Sequence, residues 1–485
     1  MILLRLFIAT IAFLLVARTI PGQEPHRPNF IVIMTDDQGY GDVGVYGSPN
    51  IRTPNLDRMA AEGIRFTSFY AAPFCGPSRA ALMTGSYPPR THLDFNHGPE
   101  ARTGIHPNEI TIAEILKRRD YATMIIGKWH LGDAPEFLPT RHGFDAWFGL
   151  PYSNDMWPYH PRMPFRPDED ERMKAARERA KITGFAGEGS YYPERGGFSQ
   201  PLPLMSNEEV VELNPDQTRL TTLYTEKALE FITANKDRPF FLYLPQSMPH
   251  VPLFPSYRFK GTSRRGLYGD VIEELDASVG KILARLKELD LDEQTLVIFT
   301  SDNGPWLEYG IDGGSAGPLR AGKSTPYEGG VRVPCVMRWP GRIPAGEVTL
   351  EVAANMDLLP TLAKLAGTRA PIDRTIDGAD IWPLMAGEAG AKSPHEDFYF
   401  FMGREESGGP NLKAIRSGDW KLHVEADEDG VRGIELYDLA GDVGESRNLL
   451  DREKDVVDRL EKKAQDFLDG LRKNSRPLGR LTRSR

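Results

Sequence analysis

Four segments of the chain share one pattern, in which a short run of β-branched or aromatic residues is followed at once by polar residues. The hydrophobic runs are Asn29–Thr35, Tyr121–Ile126, Pro239–Leu244 and Leu296–Thr300. Runs of this length and composition predict buried strands. The polar residues that follow them are Asp36 and Asp37, then Lys128 and His130, then His250, then Asp302 and Asn303.

Segments with apolar residues at helical spacing lie between and after these runs. Thr53 is placed to cap a helix that begins at Pro54. The other helical segments are Glu109–Arg118, Thr218–Ala234, Asp270–Leu289 and Met356–Ala366. Strands that alternate with helices predict an α/β fold with a doubly wound, mostly parallel sheet. Ligands bind beyond the carboxyl ends of such strands, so we expect the four polar groups to meet in space.

The segment Pro161–Pro215 departs from this alternation. It is rich in proline, glycine and charge, and it contains the charged run Glu169–Lys181 and the pair Tyr191 and Tyr192. We expect this segment to leave the sheet and pass over its surface. It serves either as a lid or binding loop, which could line a sugar cleft, or as a plain surface insertion.

Beyond residues 370–390 the pattern changes to short strand-like pieces and one charged helix. They are Asp397–Phe401, Trp420–Val424, Ile434–Leu439 and Arg452–Arg472. This predicts a smaller α+β domain that contains an antiparallel sheet. We therefore divide the chain into a leader (1–22), a large α/β domain (23–385) and a C-terminal domain (386–485).

Composition places the chain among ordinary globular proteins. Of its 485 residues, 40% are hydrophobic and 26% are charged, which excludes a wholly disordered, collagen-like or multi-span membrane protein. The formal net charge of −9 argues against a general binder of nucleic acids or anionic membranes. We therefore expect no nucleic-acid partner.

Residues 1–22 form the one long apolar run of the sequence. Arg5 precedes an apolar core from Leu6 to Val16, and Pro21 and Gly22 end the run. The core is shorter than the ~20 residues that a spanning helix needs, and the arrangement is typical of a signal peptide. We expect an exported, periplasmic or extracellular protein without stable membrane insertion.

The chain has two cysteines, too few for a disulfide framework. Cys335 lies in the strand-like segment Val333–Trp339, which predicts a buried hydrophobic side chain. Cys75 precedes Pro77, which suits the first turn of a helix that Gly85 ends. A cysteine beside a helix N-terminus lies where an anion is favoured. A lone cysteine is normally a small buried hydrophobe, but the pattern Cys-x-Pro-Ser-Arg occurs by chance in only about one such chain in a thousand.

The acidic residues at two predicted strand ends indicate a metal site. Asp36, Asp37, Asp302 and Asn303 offer hard oxygen ligands, which suit Ca²⁺ or Mg²⁺ and do not suit zinc. Each pair alone would be an ordinary turn former. Because two such pairs follow two predicted strands in one chain, we favour a metal site over two ordinary turns.

The segment from Cys75 through Arg79 to Gly85 resembles the signature of type I sulfatases, and Gly127-Lys128-Trp129-His130 resembles the second signature of that family. Asp120 stands where the family usually has glycine, before the strand begins. The further matches, in family order, are Asp36-Asp37, Met248-Pro249-His250, Ser301–Gly304, Lys323 and Tyr327–Arg332. The resemblance spans about 29–450, and it is closest to the arylsulfatase A and N-acetylgalactosamine-6-sulfatase type.

The resemblance implies an alkaline-phosphatase-like fold and a set of roles. A maturation enzyme would oxidise Cys75 to formylglycine. One Ca²⁺ would be held by Asp36, Asp37, Asp302, Asn303 and the modified residue 75. Arg79 would orient the aldehyde hydrate, Lys128 and Lys323 would hold the sulfate, and His130 and His250 would handle protons.

The mechanism that the resemblance implies is covalent. One hydroxyl of the hydrate attacks sulfur while His250 and Lys323 assist the leaving alcohol. His130 then takes the proton of the second hydroxyl, sulfate is expelled and the aldehyde returns. The segment Pro151–Asp155 also resembles an arylsulfatase loop, in which Ser153 would contact substrate and Asn154 a sugar, although Ser153 also suits an ordinary loop.

Two other functions stay open at this point. A phosphate or phosphonate monoester hydrolase shares the tetrahedral geometry of the reacting group. A non-catalytic binder of sulfated glycans would keep the pocket without turnover. Aryl sulfates and sulfated carbohydrates are both possible substrates, and we favour the carbohydrates because an exported sulfatase meets polysaccharides.

Overall fold

The structure, a computed structural model, describes residues 27–156, 201–404, 409–427 and 430–481. The expected signal segment 1–22, the charged run 169–181 and the tyrosine pair 191–192 lie outside the described residues. Within the described ranges, no helix combines the length and the apolar character needed to cross a membrane.

A mixed, mostly parallel sheet forms the centre of the molecule. Its strands are β1 (Asn29–Thr35), β2 (Ile64–Tyr70), β4 (Ala122–Ile126), β5 (Ala146–Gly149), β6 (Pro203–Ser206), β7 (Glu209–Leu213), β8 (Phe240–Pro245), β9 (Thr295–Ser301), β10 (Arg332–Arg338), β11 (Glu347–Thr349) and β12 (Ala353–Ala354). Their order is β11-β2-β10-β9-β1-β8-β4-β5-β6-β7, and β12 also pairs with β2. A separate two-stranded sheet pairs β3 (Thr103–Gly104) with β17 (Gly479–Arg480).

The four strands expected from the hydrophobic runs are confirmed as neighbours in this sheet. Strands β9, β1, β8 and β4 lie side by side and run parallel. In their register, Phe30 of β1 lies between Phe241 and Leu296. Every residue of β1, β8 and β9 is buried. The carboxyl ends of all four strands therefore reach the same edge of the sheet.

Helices cover both faces of the sheet, as expected for a doubly wound fold. In chain order, the described α-helices are Pro54–Ala61, Cys75–Thr84, Pro88–Thr91, Ile112–Lys117, Leu220–Ala234, Leu267–Glu288, Glu328–Val331, Leu358–Leu365, Trp382–Met385 and Lys454–Lys473. Helices 54–61, 220–234 and 267–288 bury apolar residues in one core cluster, and helices 75–84, 112–117 and 358–365 do so in a second. The predicted helices are confirmed, with ends that shift by a few residues. Thr53 precedes Pro54 as expected, but its hydroxyl accepts from the Gly44 N–H and makes no cap hydrogen bond to the helix backbone.

The prediction for residues 161–215 is wrong at its C-terminal end. Residues 203–213 form a hairpin, β6 and β7, that extends the central sheet beyond β5 instead of passing over it. Leu202 and Leu204 are buried, whereas Val210 and Val211 are each 52% exposed. Because the adjacent residues Val210 and Val211 are equally exposed, hydrophobic and polar positions do not alternate clearly in β7. The hydrophobic pattern therefore did not predict an edge hairpin.

The C-terminal part contains the expected antiparallel sheet. Its strands are β13 (Asp397–Arg404), β14 (Pro410–Ser417), β15 (Trp420–Asp427) and β16 (Gly430–Asp438), in that order. The helix Lys454–Lys473 packs on this sheet with a third apolar cluster. Strand β14 was not predicted, because its sequence mixes polar residues with its buried leucine, alanine and isoleucine.

The buried ion pair of Arg90 and Asp377 joins two segments that are distant along the chain, residues 87–90 and the segment around residue 377. Arg90 donates from Nε and Nη2 to the two carboxylate oxygens at 2.7 and 2.6 Å, and the Tyr87 N–H also donates to Asp377. An Asp377→Ala substitution leaves the arginine buried and unpaired, so we expect the free energy of unfolding to fall by about 3–5 kcal/mol.

Urea unfolding of the purified variant measures this loss. The matched control is Asp466→Ala, which breaks an exposed pair with Lys462 and should leave the unfolding midpoint unchanged. Equal midpoints for both variants would contradict the structural role of Asp377.

Candidate active site

The polar residues that follow the four parallel strands converge at one edge of the sheet. Asp36, after β1, accepts a hydrogen bond of 2.6 Å from Lys128 Nζ, after β4. The backbone N–H of Asp37 donates to Asp302 Oδ1, after β9, at 3.1 Å. His250, after β8, has its Nε2 3.5 Å from Asp37 Oδ2. The structure thus brings together the groups that the sequence placed on separate strands.

Arg79 lies at the centre of one buried charge group. Its Nη2 and Nε atoms lie 2.7 and 3.1 Å from Asp302 Oδ2, and Nη2 lies 3.6 Å from Asp36 Oδ1. Its Nη1 donates to the backbone carbonyl of Lys128 at 2.7 Å. All four side chains have an exposure of 0%. Burial opposes the guanidinium charge, yet Asp302 and Asp36 outweigh burial and raise the pKa of Arg79.

Asp37 holds the second charge group. Its carboxylate accepts from Lys323 Nζ at 2.8 Å and from Asn303 Nδ2 at 2.8 Å. Its backbone has a φ of +66°, a conformation that a non-glycine residue adopts at some cost. Burial alone would raise the pKa of Asp37, but Lys323 and other nearby cationic groups outweigh it and lower that pKa. The side chain is therefore a carboxylate.

Cys75 is the first residue of the helix Cys75–Thr84, and Gly85 closes that helix with a φ of +64°. Every residue of the helix is buried, and Cys75 is 1% exposed. Its Sγ lies 3.6 Å from Asp37 Oδ1. Burial raises the pKa of the thiol well above its usual value. An unmodified Cys75 is therefore a neutral thiol and a poor nucleophile.

The two histidines have different surroundings. His250 Nδ1 lies 2.6 Å from the Val251 carbonyl, and Nε2 lies 3.2 Å from Ser153 Oγ. Neither ring nitrogen of His130 has a hydrogen-bond partner among the described residues. Burial, with the cations Lys128 and Arg79 close by, holds the pKa of His130 well below its usual range. His130 is therefore a neutral imidazole with an unused lone pair.

The loop residues Ser153 and Asn154 are both buried at this edge. Ser153 Oγ accepts from Lys128 Nζ at 3.0 Å, so it belongs to the cluster. Asn154 Nδ2 donates to Gln217 Oε1 at 2.9 Å and to the Pro252 carbonyl at 3.2 Å. Its Oδ1 has no partner among the described residues. The asparagine amide therefore anchors the loop.

The donor set fits a hard divalent cation. Two buried oxygens of this edge, Asp36 Oδ1 and Asn303 Oδ1, accept no hydrogen bond from the described residues. Donor atoms of Asp36, Asp37, Cys75 and His250 lie within 4.8 Å of one another. Burial would raise the pKa of Asp36, but Lys128 and His250 outweigh it and lower that pKa. Burial and the charge of Asp36 raise the pKa of Asp302, against the effect of Arg79.

Two neighbours of the site were missed in the sequence. The Trp306 ring lies 4.1 Å from Lys323 Nζ and 5.4 Å from the His250 ring. Its position three residues after Asn303 was a usable signal. Asn96 Oδ1 accepts from the Gly76 N–H at 2.9 Å, beside Cys75, and no sequence pattern indicates that contact.

Comparison with known proteins places this site in a family. The sulfatase family pattern matches residues 28–368, and a C-terminal pattern described as N-sulphoglucosamine sulphohydrolase matches residues 322–473. The chain is 42% identical to N-acetylgalactosamine-6-sulfatase of Canis lupus familiaris, over 82% of this chain and 72% of that protein. It is 40% identical to arylsulfatase A of Bos taurus, over 89% of this chain and 85% of that protein.

Solved structures give the same result. The crystal structure of Ps i-CgsB in complex with k-i-k-neocarrahexaose superposes with a TM-score of 0.75 and 30% identity, over 91% of this chain and 93% of that one. Fold, site and sequence therefore agree, and the chain belongs to the sulfatase family, whose members are sulfuric ester hydrolases.

Proposed function

We propose that this chain hydrolyses sulfate esters with a formylglycine at position 75 and one bound Ca²⁺. The observation that carries the proposal is the buried edge at which Arg79, Lys128 and Lys323 surround Cys75 together with three carboxylates. A sulfate ester keeps its negative charge on its peripheral oxygens, so its hydrolysis needs fixed cations at those oxygens.

The charge balance of the site supports a divalent ion. Asp36, Asp37 and Asp302 pair with the three cations, so the protein groups alone are close to neutral. An ion held by these carboxylates and Asn303 would make the edge positive enough for an anionic ester. When bound, Ca²⁺ would supply Lewis-acid polarisation of the oxygens bound to it.

The buried thiol supports a modified residue at position 75. A neutral thiol has neither the nucleophilicity nor the second hydroxyl that the cycle uses, whereas a hydrated formylglycine would supply both. We assign to Arg79 the orientation of the side chain at position 75, and to Lys128 and Lys323 the binding of the sulfate oxygens. Ser153, bonded to Lys128, would share in substrate binding, and Asn154 would contact a sugar of the substrate.

The surroundings of the two histidines suit opposite proton transfers. Because His250 Nδ1 lies 2.6 Å from a carbonyl, Nδ1 carries a proton and Nε2 is the atom that exchanges one. His250 Nε2 lies 3.5 Å from Asp37 Oδ2 within the site, so His250, with Lys323, would donate to the leaving alcohol. His130 is neutral and has no hydrogen-bond partner among the described residues, so it would accept the proton of the final step.

Sulfated carbohydrate is the substrate class that we favour. One structural neighbour was solved with k-i-k-neocarrahexaose, and a relative is named N-acetylgalactosamine-6-sulfatase. We further propose a signal peptide over 1–22 with export to a periplasm or the exterior, a catalytic domain over 23–385, a C-terminal domain over 386–485, and a maturation enzyme that acts on Cys75.

Matched aryl esters test the reaction class. Purified protein should hydrolyse 4-nitrophenyl sulfate with a kcat/KM at least about 100-fold above that for 4-nitrophenyl phosphate, because the site is built around a sulfate-releasing nucleophile. Release of nitrophenol is measured by absorbance. A preference for the phosphate would favour the phosphomonoesterase or phosphonate hydrolase alternative.

A His130→Ala variant separates catalysis from binding in the same assay. It should lose turnover by about 100-fold or more and retain binding of a sulfated oligosaccharide. This result would exclude a non-catalytic glycan binder. Wild-type protein that binds the glycan and hydrolyses no sulfate ester would support the binder instead.

Cys75 should be converted in active protein. Peptide mass spectrometry of the segment that contains Cys75 should show replacement of the thiol by an aldehyde, and specific activity should rise in proportion to the converted fraction. Cys335 is the internal control, since it is buried in β10 and should remain a thiol. Full activity from protein with an unmodified Cys75 would contradict the mechanism.

Removal of metal should abolish activity and weaken the fold. A chelator should lower the thermal midpoint, and Ca²⁺ should restore both midpoint and activity, because an ion that binds only the folded protein stabilises it. An Asp37→Asn variant should lose Ca²⁺ binding in calorimetric titration. The matched control is Asp442→Asn on the surface, and loss of calcium binding in both variants would contradict the assignment.

A further inference from the structure

Lys323 lies on a loop whose two ends are held by one residue of the C-terminal part. The loop runs from Arg320 to Glu328. Arg320 Nη1 donates to the backbone carbonyl of Glu445 at 2.8 Å, and the Glu328 N–H donates to Glu445 Oε2 at 2.6 Å. The Gly329 N–H closes the base of the loop on the Arg320 carbonyl at 2.8 Å.

Glu445 is itself fixed by the buried side chains of a lysine and a histidine on β15. Its Oε1 lies 2.7 Å from His423 Nε2 and 3.3 Å from Lys421 Nζ. Lys421 also pairs with Glu328 Oε1 at 2.8 Å. None of these four residues is more than 2% exposed. In such a dry environment the ion pairs are strong, and displacing one partner leaves another charge uncompensated.

The loop 320–328 packs tightly between Glu445 on one side and the catalytic edge, the group of Asp36, Asp37, Cys75, Arg79, Lys128 and Asp302, on the other. A Cβ on Gly329 would lie 2.2 Å from the Ala321 carbonyl, and one on Gly330 would lie 2.3 Å from the Thr325 carbonyl. The Ser324 N–H donates to the Pro73 carbonyl at 3.0 Å, two residues before Cys75. A movement of the loop base is therefore transmitted to the lysine.

A second set of contacts holds the loop base in the same position. The Arg320 guanidinium lies 4.0 Å from the centre of the Tyr327 ring and donates to the Tyr437 hydroxyl at 2.8 Å. The Tyr327 hydroxyl donates to Glu435 Oε2 at 2.7 Å. Tyr437 and Glu435 belong to β16, so the sheet holds the loop base through several of its residues.

We propose that Glu445 is a positioning residue for Lys323, so that the C-terminal sheet sets the place of an ammonium group in the catalytic edge. This inference rests on the proposed function, in which Lys323 assists the leaving alcohol. Glu445 acts on Lys323 through its hydrogen bonds with Arg320 and Glu328 at the two ends of the loop.

Two variants test the proposal. Glu445→Gln keeps the side-chain volume and an oxygen for the Glu328 N–H, and it removes the charge that pairs with Lys421. Arg320→Met breaks the bond to the Glu445 carbonyl. The Arg320 side chain is 38% exposed, so we expect the Arg320→Met variant to fold. It therefore tests the proposal even if Glu445→Gln does not fold.

Each variant is assayed with aryl sulfates whose phenols differ in pKa. We expect kcat to fall about 2-fold for 4-nitrophenyl sulfate and about 10-fold or more for unsubstituted phenyl sulfate, because a poor leaving group depends more on proton donation. KM should rise by a similar factor for both esters, because Lys323 also binds a sulfate oxygen in the proposed function. A merely structural defect would lower the activity on all esters equally, and that result would overturn the proposal.

A double-mutant comparison with Lys323→Ala makes the test specific. If Glu445 acts through Lys323, Glu445→Gln should change kcat by less than about 2-fold in the Lys323→Ala background. If the loss of kcat in the double variant equals the product of the losses in the two single variants, the proposal is overturned. The control Arg432→Met removes an exposed ion pair with Glu425 from the same sheet and should match wild type.

The two proposals fail in distinguishable ways. Wild-type protein that hydrolyses no sulfate ester would refute the proposed function and this inference with it. An active wild type whose Glu445→Gln and Arg320→Met variants keep the wild-type dependence on the leaving group would refute the positioning role alone.

Discussion

The catalytic edge depends on the compensation of charges that are almost wholly removed from water. Three carboxylates and three cations lie there, and the side chains of Arg79, Lys128, Asp36 and Asp302 have no exposure. A buried charge without a partner costs several kcal/mol, so no member of the group is independent of the others. The same pairing that makes the edge stable also fixes where each cation lies before substrate arrives, which is the condition for electrostatic catalysis without reorganisation.

The parallel sheet makes this concentration of charge possible. Its four central strands are hydrophobic along their length and bring their carboxyl ends to one edge, although they come from widely separated parts of the chain. Apolar clusters on both faces hold the strands in register. The densely packed central sheet thus carries the charged groups, and in our proposal the C-terminal sheet supports them through the loop that bears Lys323.

Much of this arrangement could be predicted from the sequence, for an identifiable reason. The strands are short, uninterrupted hydrophobic runs, and the rule that ligands bind at their carboxyl ends places Asp36, Lys128, His250 and Asp302 together. The hairpin of β6 and β7 could not be predicted, because its outer strand is half exposed and lacks a clear alternation. The contacts of Glu445 could not be predicted either, because its partners Arg320 and Glu328 lie more than a hundred residues away along the chain.

For the modification of Cys75 that we propose, the complete burial of the helix that begins with this residue has a kinetic consequence. An enzyme that modifies this side chain must reach a thiol that is 1% exposed in the folded protein. It must therefore act on a nascent or locally opened chain, in competition with the packing of residues 75–84 against the sheet. A mutation that accelerates folding could then lower the yield of mature protein without altering any contact of the finished site.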